Sequence, residues 1–229
     1  MLFSRIFPLL FVLVPVLCAQ EKPSEEVRKK LEETFRLQEE KRYAEALAKL
    51  DEIEAEAPNL SDLYNMRGAI YLTPGLRDFD KAGPLLDKAE ELAPQALAPK
   101  FNKAEMFFIK HDWEAAAAAM QKLLDDFPKL ALQLRHLTIY KRLICEVKLE
   151  KYEVAEKTLK EHFTFMDDTP AYYYGHAAIA FGKKEAAAAK DWLARAQGIF
   201  KPAEASAYLD ALMESRWVDN IGLPPLKEM

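Results

Sequence analysis

An aromatic residue, an alanine three positions later and a proline twelve positions after that occur three times in this chain of 229 residues. The copies are Tyr43-Ala46-Pro58, Phe79-Ala82-Pro94 and Trp113-Ala116-Pro128. Their aromatic anchors are 36 and 34 residues apart, and a fourth anchor, Tyr152 with Ala155, follows 39 residues later. A repeat period of this size predicts a stacked array of helical hairpins.

The spacing within each copy is that of one helix face. Positions three, four, seven and eight apart lie on the same side of an α-helix, and Phe79, Ala82, Leu86 and Ala89 follow that rule. Alanine permits close approach of a neighbouring helix, while leucine fills the space beside it. Pro94 cannot continue the helix and displaces the residue before it from the α region. Each copy therefore predicts one helix that ends at its proline.

Other residues indicate a helix ahead of each copy. Tyr64, Gly68 and Tyr71 precede the middle copy, and with it they resemble the tetratricopeptide repeat (TPR) family. The resemblance implies an all-α fold, a right-handed α-solenoid of about five TPR-like hairpins with a C-terminal capping helix. It places repeats at 27–60, 61–96, 97–130, 131–168 and 169–201, the capping helix at 202–215 and an extended tail at 216–229.

The N-terminus has the pattern of a secretory signal peptide. Arg5 precedes the apolar run Ile6–Leu17, and Ala19 is a small residue suited to cleavage. We therefore expect residues 1–19 to be removed, residues 20–26 to form a disordered leader, and the protein to be exported, periplasmic or secreted. Two alternatives remain open: an uncleaved anchor helix, and lipidation at Cys18, although small residues do not precede that cysteine.

Charge and cysteine content narrow the functional classes. Removal of residues 1–19 takes away one of the 32 basic residues and no acid, so the net charge becomes 31 − 37 = −6. This acidic balance disfavours a nucleic-acid partner, which requires a clustered basic face. Cys145 is then the remaining cysteine, and an internal disulfide is not expected.

Candidate catalytic and metal-binding residues do not combine into a site. Cys145 and His136 are nine residues apart on one predicted helix, about 180° around its axis, so they cannot meet. The four histidines include no pair at the four-residue spacing of helical metal ligands. The acidic pairs Asp125-Asp126 and Asp167-Asp168 are interpreted as solvated helix ends. We therefore expect no enzyme activity, no cofactor and no metal.

The TPR resemblance implies a concave groove lined by the first helix of each repeat. Carried over position by position, the groove residues are Leu31, Phe35, Asn65, Leu72, Phe101, Glu105, Phe108, Tyr140, Ile144 and Tyr174. Aromatic side chains there suit a protein or peptide partner. The alternative is that several of them are core, because a one-residue phase error exchanges groove and core. The groove version that clamps chaperone tails is not expected, since the matching positions hold Leu31, Phe35 and Asn65.

Two functions follow from this interpretation. The first is a non-enzymatic scaffold or adaptor that binds a protein or peptide segment in the groove. The second is a structural component of an envelope or secretion assembly, membrane-tethered only if the N-terminal segment is retained. The groove assignment also predicts that Leu86→Ala lowers the free energy of unfolding by about 2–5 kcal/mol, whereas Phe108→Ala lowers it little.

Overall fold

The computed structural model describes residues 23–167 and 169–218. The predicted signal peptide, residues 20–22 of the leader and most of the tail lie outside these residues. Within them the chain forms eleven helices and no strand: α1 (Glu25–Glu39), α2 (Tyr43–Glu56), α3 (Ser61–Ile70), α4 (Phe79–Leu92), α5 (Leu97–Ile109), α6 (Trp113–Asp126), α7 (Leu132–Lys148), α8 (Tyr152–His162), α9 (Pro170–Gly182), α10 (Ala186–Ile199) and α11 (Pro202–Glu214).

The helices form five antiparallel hairpins followed by α11. The helices of each hairpin pack on each other, and the second helix of each of the first four hairpins packs on the first helix of the next one. First helices of neighbouring hairpins also meet, as α1 with α3, α3 with α5 and α7 with α9. The all-α array of helical hairpins predicted from the repeat is therefore confirmed.

The second helices share a two-residue core signature. The alanine of the repeat is fully buried in each, and the residue four positions later is at most 4 % exposed; the pairs are Ala46 and Leu50, Ala82 and Leu86, Ala116 and Met120, Ala155 and Leu159, and Ala189 and Leu193. One residue before the fifth pair in α10 lie Ala188 and Trp192. Both are only partly buried.

A single type of turn ends five of the six odd-numbered helices. In each turn one residue other than glycine has a positive φ of 58–63°: Lys41, His111, Glu150, Lys184 and Arg216. The hydrogen bonds repeat as well, since the amide of the following residue donates to a carbonyl five positions earlier, as Asp112 N does to Phe107 O and Trp217 N does to Leu212 O. Thus α11 ends in the way that a first helix ends.

The connection between α3 and α4 is the exception. It runs from residue 71 to 78 and contains Thr73-Pro74-Gly75. Inside this connection the Asp78 amide donates to the Tyr71 carbonyl, which closes the loop. The longer connection accounts for the 36-residue period between the first two anchors.

The N-terminal boundary is earlier than the predicted leader allows. The Ser24 hydroxyl accepts a hydrogen bond from the Val27 amide and caps α1, which begins at Glu25. Two acidic residues, Glu25 and Glu26, occupy the first turn, where the helix dipole favours negative charge. Residues 25 and 26 are therefore helical rather than part of the leader.

Buried side chains in the described residues form three clusters. Eight residues between Val27 and Ile70 form the first cluster, and Leu72, Ala82, Leu86 and Met106 form the second. The third cluster holds 31 residues, extends from Ala104 to Val218 and includes side chains of α11. The C-terminal hairpins and α11 thus share one continuous core.

Candidate partner-binding face

The ten predicted groove residues lie on, or directly after, the first helices α1, α3, α5, α7 and α9. We call the surface formed by these five helices the first-helix face. The repeated turn provides its register: Leu31, Phe101, Tyr140 and Tyr174 all stand ten residues before a positive-φ residue, and Phe35, Glu105 and Ile144 stand six residues before one. These seven residues are therefore structurally equivalent from repeat to repeat.

Helix α11 covers the C-terminal part of this face. Its main packing partners are α9 and α7. The Tyr208 ring lies 5.2 Å from the Tyr140 ring and 6.0 Å from the Tyr174 ring, between ring centroids. The Tyr140 hydroxyl donates a 3.1 Å hydrogen bond to the Tyr208 carbonyl, across 68 residues of chain. The predicted capping helix therefore lies on the first-helix face rather than only over the end of the array.

This placement corrects the prediction of an open groove for three residues. Tyr140 and Ile144 have no exposed surface and Tyr174 has 2 %. Burial raises the pKa of the Tyr140 hydroxyl well above its usual value, in keeping with its position inside the core. The rings of Tyr140 and Tyr174 contact α11, and Ile144 belongs to the same core, so none of the three is available to a partner while α11 is in place.

The groove prediction is also wrong for two further residues, for a different reason. Phe108 is fully buried: its ring packs edge-on against the Trp113 ring at 5.4 Å, and the Lys141 ammonium lies 5.2 Å from its centroid. Leu72 is 6 % exposed and belongs to the cluster between α3, α4 and α5. Both are core residues.

Polar contacts fix the C-terminal end of α11. The Glu214 carboxylate accepts a 2.6 Å hydrogen bond from Arg77, a residue of the long α3–α4 connection 137 positions earlier. The Glu214 backbone carbonyl accepts a 2.7 Å hydrogen bond from Nε2 of His111. We call these contacts of Arg77 and His111 with Glu214 the α11 latch.

Charged groups also line the face beside α11. Lys141 on α7 forms an ion pair with Glu105 on α5, and both side chains are at most 15 % exposed. Asp210 on α11 is close enough for Lys141 to stabilise its charge, yet burial dominates and raises the pKa of the Asp210 carboxyl. This cluster makes the centre of the face polar.

The N-terminal part of the face remains open. Phe35 is 60 % exposed on α1, and Leu31, one turn earlier on the same helix, is partly buried. On α3 and α5, Asn102 donates a 2.8 Å hydrogen bond from its side-chain amide to that of Asn65, and Asn65 itself is 9 % exposed. Phe101 is partly buried against the large core. The accessible surface thus combines one prominent aromatic side chain, Phe35, with the half-buried amide of Asn102, which is bridged to the buried Asn65.

The candidate catalytic residues Cys145 and His136 do not form a reactive pair. Cys145 is buried, and burial raises the pKa of its thiol, which opposes formation of a thiolate. His136 packs edge-on against Phe163, and burial lowers its pKa. Among the described residues no cluster of three or more histidine, cysteine or acidic side chains is placed to hold a metal ion. No helix in the same part of the chain has the length and hydrophobicity needed to cross a membrane.

Comparison with known proteins finds a family model that matches this chain. A family model described as Iml2/Tetratricopeptide repeat protein 39 matches residues 58–209. No curated protein matches the chain.

Solved structures share the fold. PilW, described as a type IV pilus biogenesis factor, is 16 % identical with a TM-score of 0.65, covering 84 % of this chain and 87 % of its own. PilF of Pseudomonas aeruginosa is 12 % identical with a TM-score of 0.60, over 82 % and 83 % of the two chains. The Thermus thermophilus TPR protein TTC0263 is 19 % identical with a TM-score of 0.58, over 82 % and 99 %. At these identities the similarity establishes the fold alone.

Proposed function

Since this chain belongs to the Iml2/Tetratricopeptide repeat protein 39 family, we propose that it is a non-enzymatic scaffold that binds a protein or peptide segment on its first-helix face. TPR arrays are typically interaction modules whose repeats build one extended surface. The buried Cys145 thiol, whose pKa is raised by burial, agrees with this proposal.

The observation that supports the proposal best is the exposure of Phe35. Its side chain is 60 % exposed on a regular helix, at the position that Ile144 occupies in the fourth repeat, where the side chain is covered completely. The same position is therefore covered by the protein in one repeat and open in another. Large aromatic anchors contribute much of the binding free energy at protein interfaces. We assign the partner-contacting surface to Phe35, Leu31 and Phe101.

A pair of variants tests this assignment. Phe35→Ser removes the anchor, and we expect it to weaken partner capture by roughly tenfold or more. Ile199→Ser is the matched control, because Ile199 is 56 % exposed near the end of α10, away from the first-helix face. Equal capture by both variants would refute the assignment, and turnover of a substrate lost in an Asp167 variant would refute the non-enzymatic role.

We further propose an exported location, with residues 1–19 as a cleaved signal peptide and the protein periplasmic or secreted. The support is the sequence pattern of Arg5, the apolar run Ile6–Leu17 and Ala19. Cell fractionation with N-terminal sequencing tests this location. A soluble chain that begins at Gln20 is the expected result.

The second candidate is a structural component of an envelope or secretion assembly. It is favoured by the fold shared with PilW, a type IV pilus biogenesis factor. An intact N-terminus recovered from the membrane pellet supports this candidate over the exported adaptor.

A further inference from the structure

Helix α11 lies where the TPR resemblance locates a bound partner. Tyr140 and Tyr174 are equivalent positions of the first-helix face in the fourth and fifth repeats, and the Tyr208 side chain contacts both rings. Trp217, just after α11, stacks on Phe181 at 5.9 Å. The protein therefore supplies an amphipathic helix to its own groove.

The attachment of α11 differs from that of the hairpin helices. Two extended residues, Phe200 and Lys201, separate it from α10. Within the five hairpins, each first helix after α1 packs on the second helix that precedes it in the chain. Helix α11 instead packs mainly on α9 and α7. Because α11 is not inserted between two hairpins, it can leave the face without separating any helix of the five hairpins from its partner.

Tyr208 is the one aromatic side chain of α11, and Leu209 and Met213 are only partly buried against the core. Ala205, Tyr208, Ala211 and Leu212 are its buried residues, and two of these four are alanines. Much of the specificity of α11 for the first-helix face therefore rests on Tyr208 and on the α11 latch at Glu214, six residues later. The latch uses Arg77, which belongs to the one hairpin connection that is longer than the others.

We propose that the part of the first-helix face formed by α7 and α9 is a helix-binding site, that α11 is its internal ligand, and that a partner helix replaces α11. The partner has the chemistry of α11: an amphipathic helix with an aromatic residue in the place of Tyr208 and an acidic residue six positions later. This inference rests on the proposed scaffold function and specifies the class of partner.

The test uses the full chain and a labelled synthetic peptide of residues 202–218. Arg77→Ala opens the latch, and we expect the α11 amides to exchange hydrogen about ten- to a hundredfold faster, since a charge-assisted hydrogen bond is lost. The labelled peptide is expected to bind a Glu214→Ala variant of the chain at least about tenfold more tightly than wild type, because the internal helix loses its contact with Arg77 while the peptide keeps its own Glu214. Arg67→Ala is the control, because Arg67 forms comparable ion pairs with Asp51 and Glu54.

The specificity of the site is tested with a second peptide. The same peptide with Tyr208→Ser is expected to bind at least about tenfold more weakly. Equal binding of the two peptides would overturn the aromatic requirement. Exchange of α11 amides at the rate of α7 and α9 amides in both wild type and Arg77→Ala would overturn displacement altogether.

The result also separates this inference from the scaffold function. If the peptide displaces α11 while Phe35→Ser leaves partner capture unchanged, the helix-binding site stands and the assignment of the open face fails. If Phe35→Ser abolishes capture while the peptide binds neither form, the scaffold stands and the helix-binding site fails.

Discussion

At the scale of single residues, Phe108 distinguishes most clearly between assignment to the groove and assignment to the core. It has no exposed surface and packs against Trp113 and the Lys141 ammonium. We expect Phe108→Ala to lower the free energy of unfolding by about 3–5 kcal/mol, measured by urea denaturation, because it opens a cavity in the large core. Phe35→Ala should change it by less than about 0.5 kcal/mol. A small effect of Phe108→Ala would restore the original groove assignment.

Lys148 provides a residue-scale prediction for pH. Burial, with the nearby Arg216 charge, lowers the pKa of the Lys148 ammonium to about 8 from an ordinary 10.5. The indole of Trp217, 3.9 Å from the Lys148 ammonium, partly offsets this by favouring the charged form. Between these pKa values the unfolded chain binds more protons than the folded chain, so this group adds stability as pH rises.

The measurement compares wild type with Lys148→Gln. The free energy of unfolding of wild type should rise relative to that of Lys148→Gln between about pH 8 and pH 10.5. Below about pH 7 the difference between the two proteins should stay constant. A difference that does not change across that range would show that the Lys148 pKa is unshifted. Comparing the two proteins cancels the titration of every group they share.

At the scale of elements, the repeated turn holds non-glycine residues in the left-handed region. Lys184 is an exposed example, with φ of 62° between α9 and α10. Glycine adopts this conformation without the steric cost of a Cβ, so Lys184→Gly should raise the free energy of unfolding by about 0.5–1 kcal/mol. As a control, Lys190→Gly inside α10 should lower it by about 1 kcal/mol. Thermal unfolding distinguishes the two, and destabilisation by both would contradict the prediction.

The elements also show what the sequence could and could not predict. The aromatic–alanine–proline pattern located the second helices because close packing of alanine is a local requirement. The pattern does not reach the fifth unit, because Ala186 stands where the other second helices begin with an aromatic residue. The burial of Tyr140 and Tyr174 depends on Tyr208, which lies in a later helix. Periodicity within repeats contains no information about such a contact, so the covered part of the candidate site could not be predicted.

At the scale of the whole molecule, stability is distributed unevenly along the array. An eight-residue cluster supports α1 and α2, whereas a 31-residue cluster joins the C-terminal hairpins with α11. Arrays of this type gain stability from nearest-neighbour interfaces. We expect native-state hydrogen exchange to show amides of α1 and α2 opening at a lower free energy than those of α7 and α9. Uniform protection across all hairpins would indicate one cooperative unit instead.

The turn after α11 affects how the array could be lengthened. The turn at Arg216 ends α11 in the same way as the first helices of four hairpins end. A second helix could therefore be appended there without redesigning the turn. Continuing the array, however, would require α11 to pack beside α10, and that position is incompatible with its contacts on α7 and α9. An engineered extension at this terminus would therefore compete with closure of the face, and consensus repeats are better grafted directly after α10.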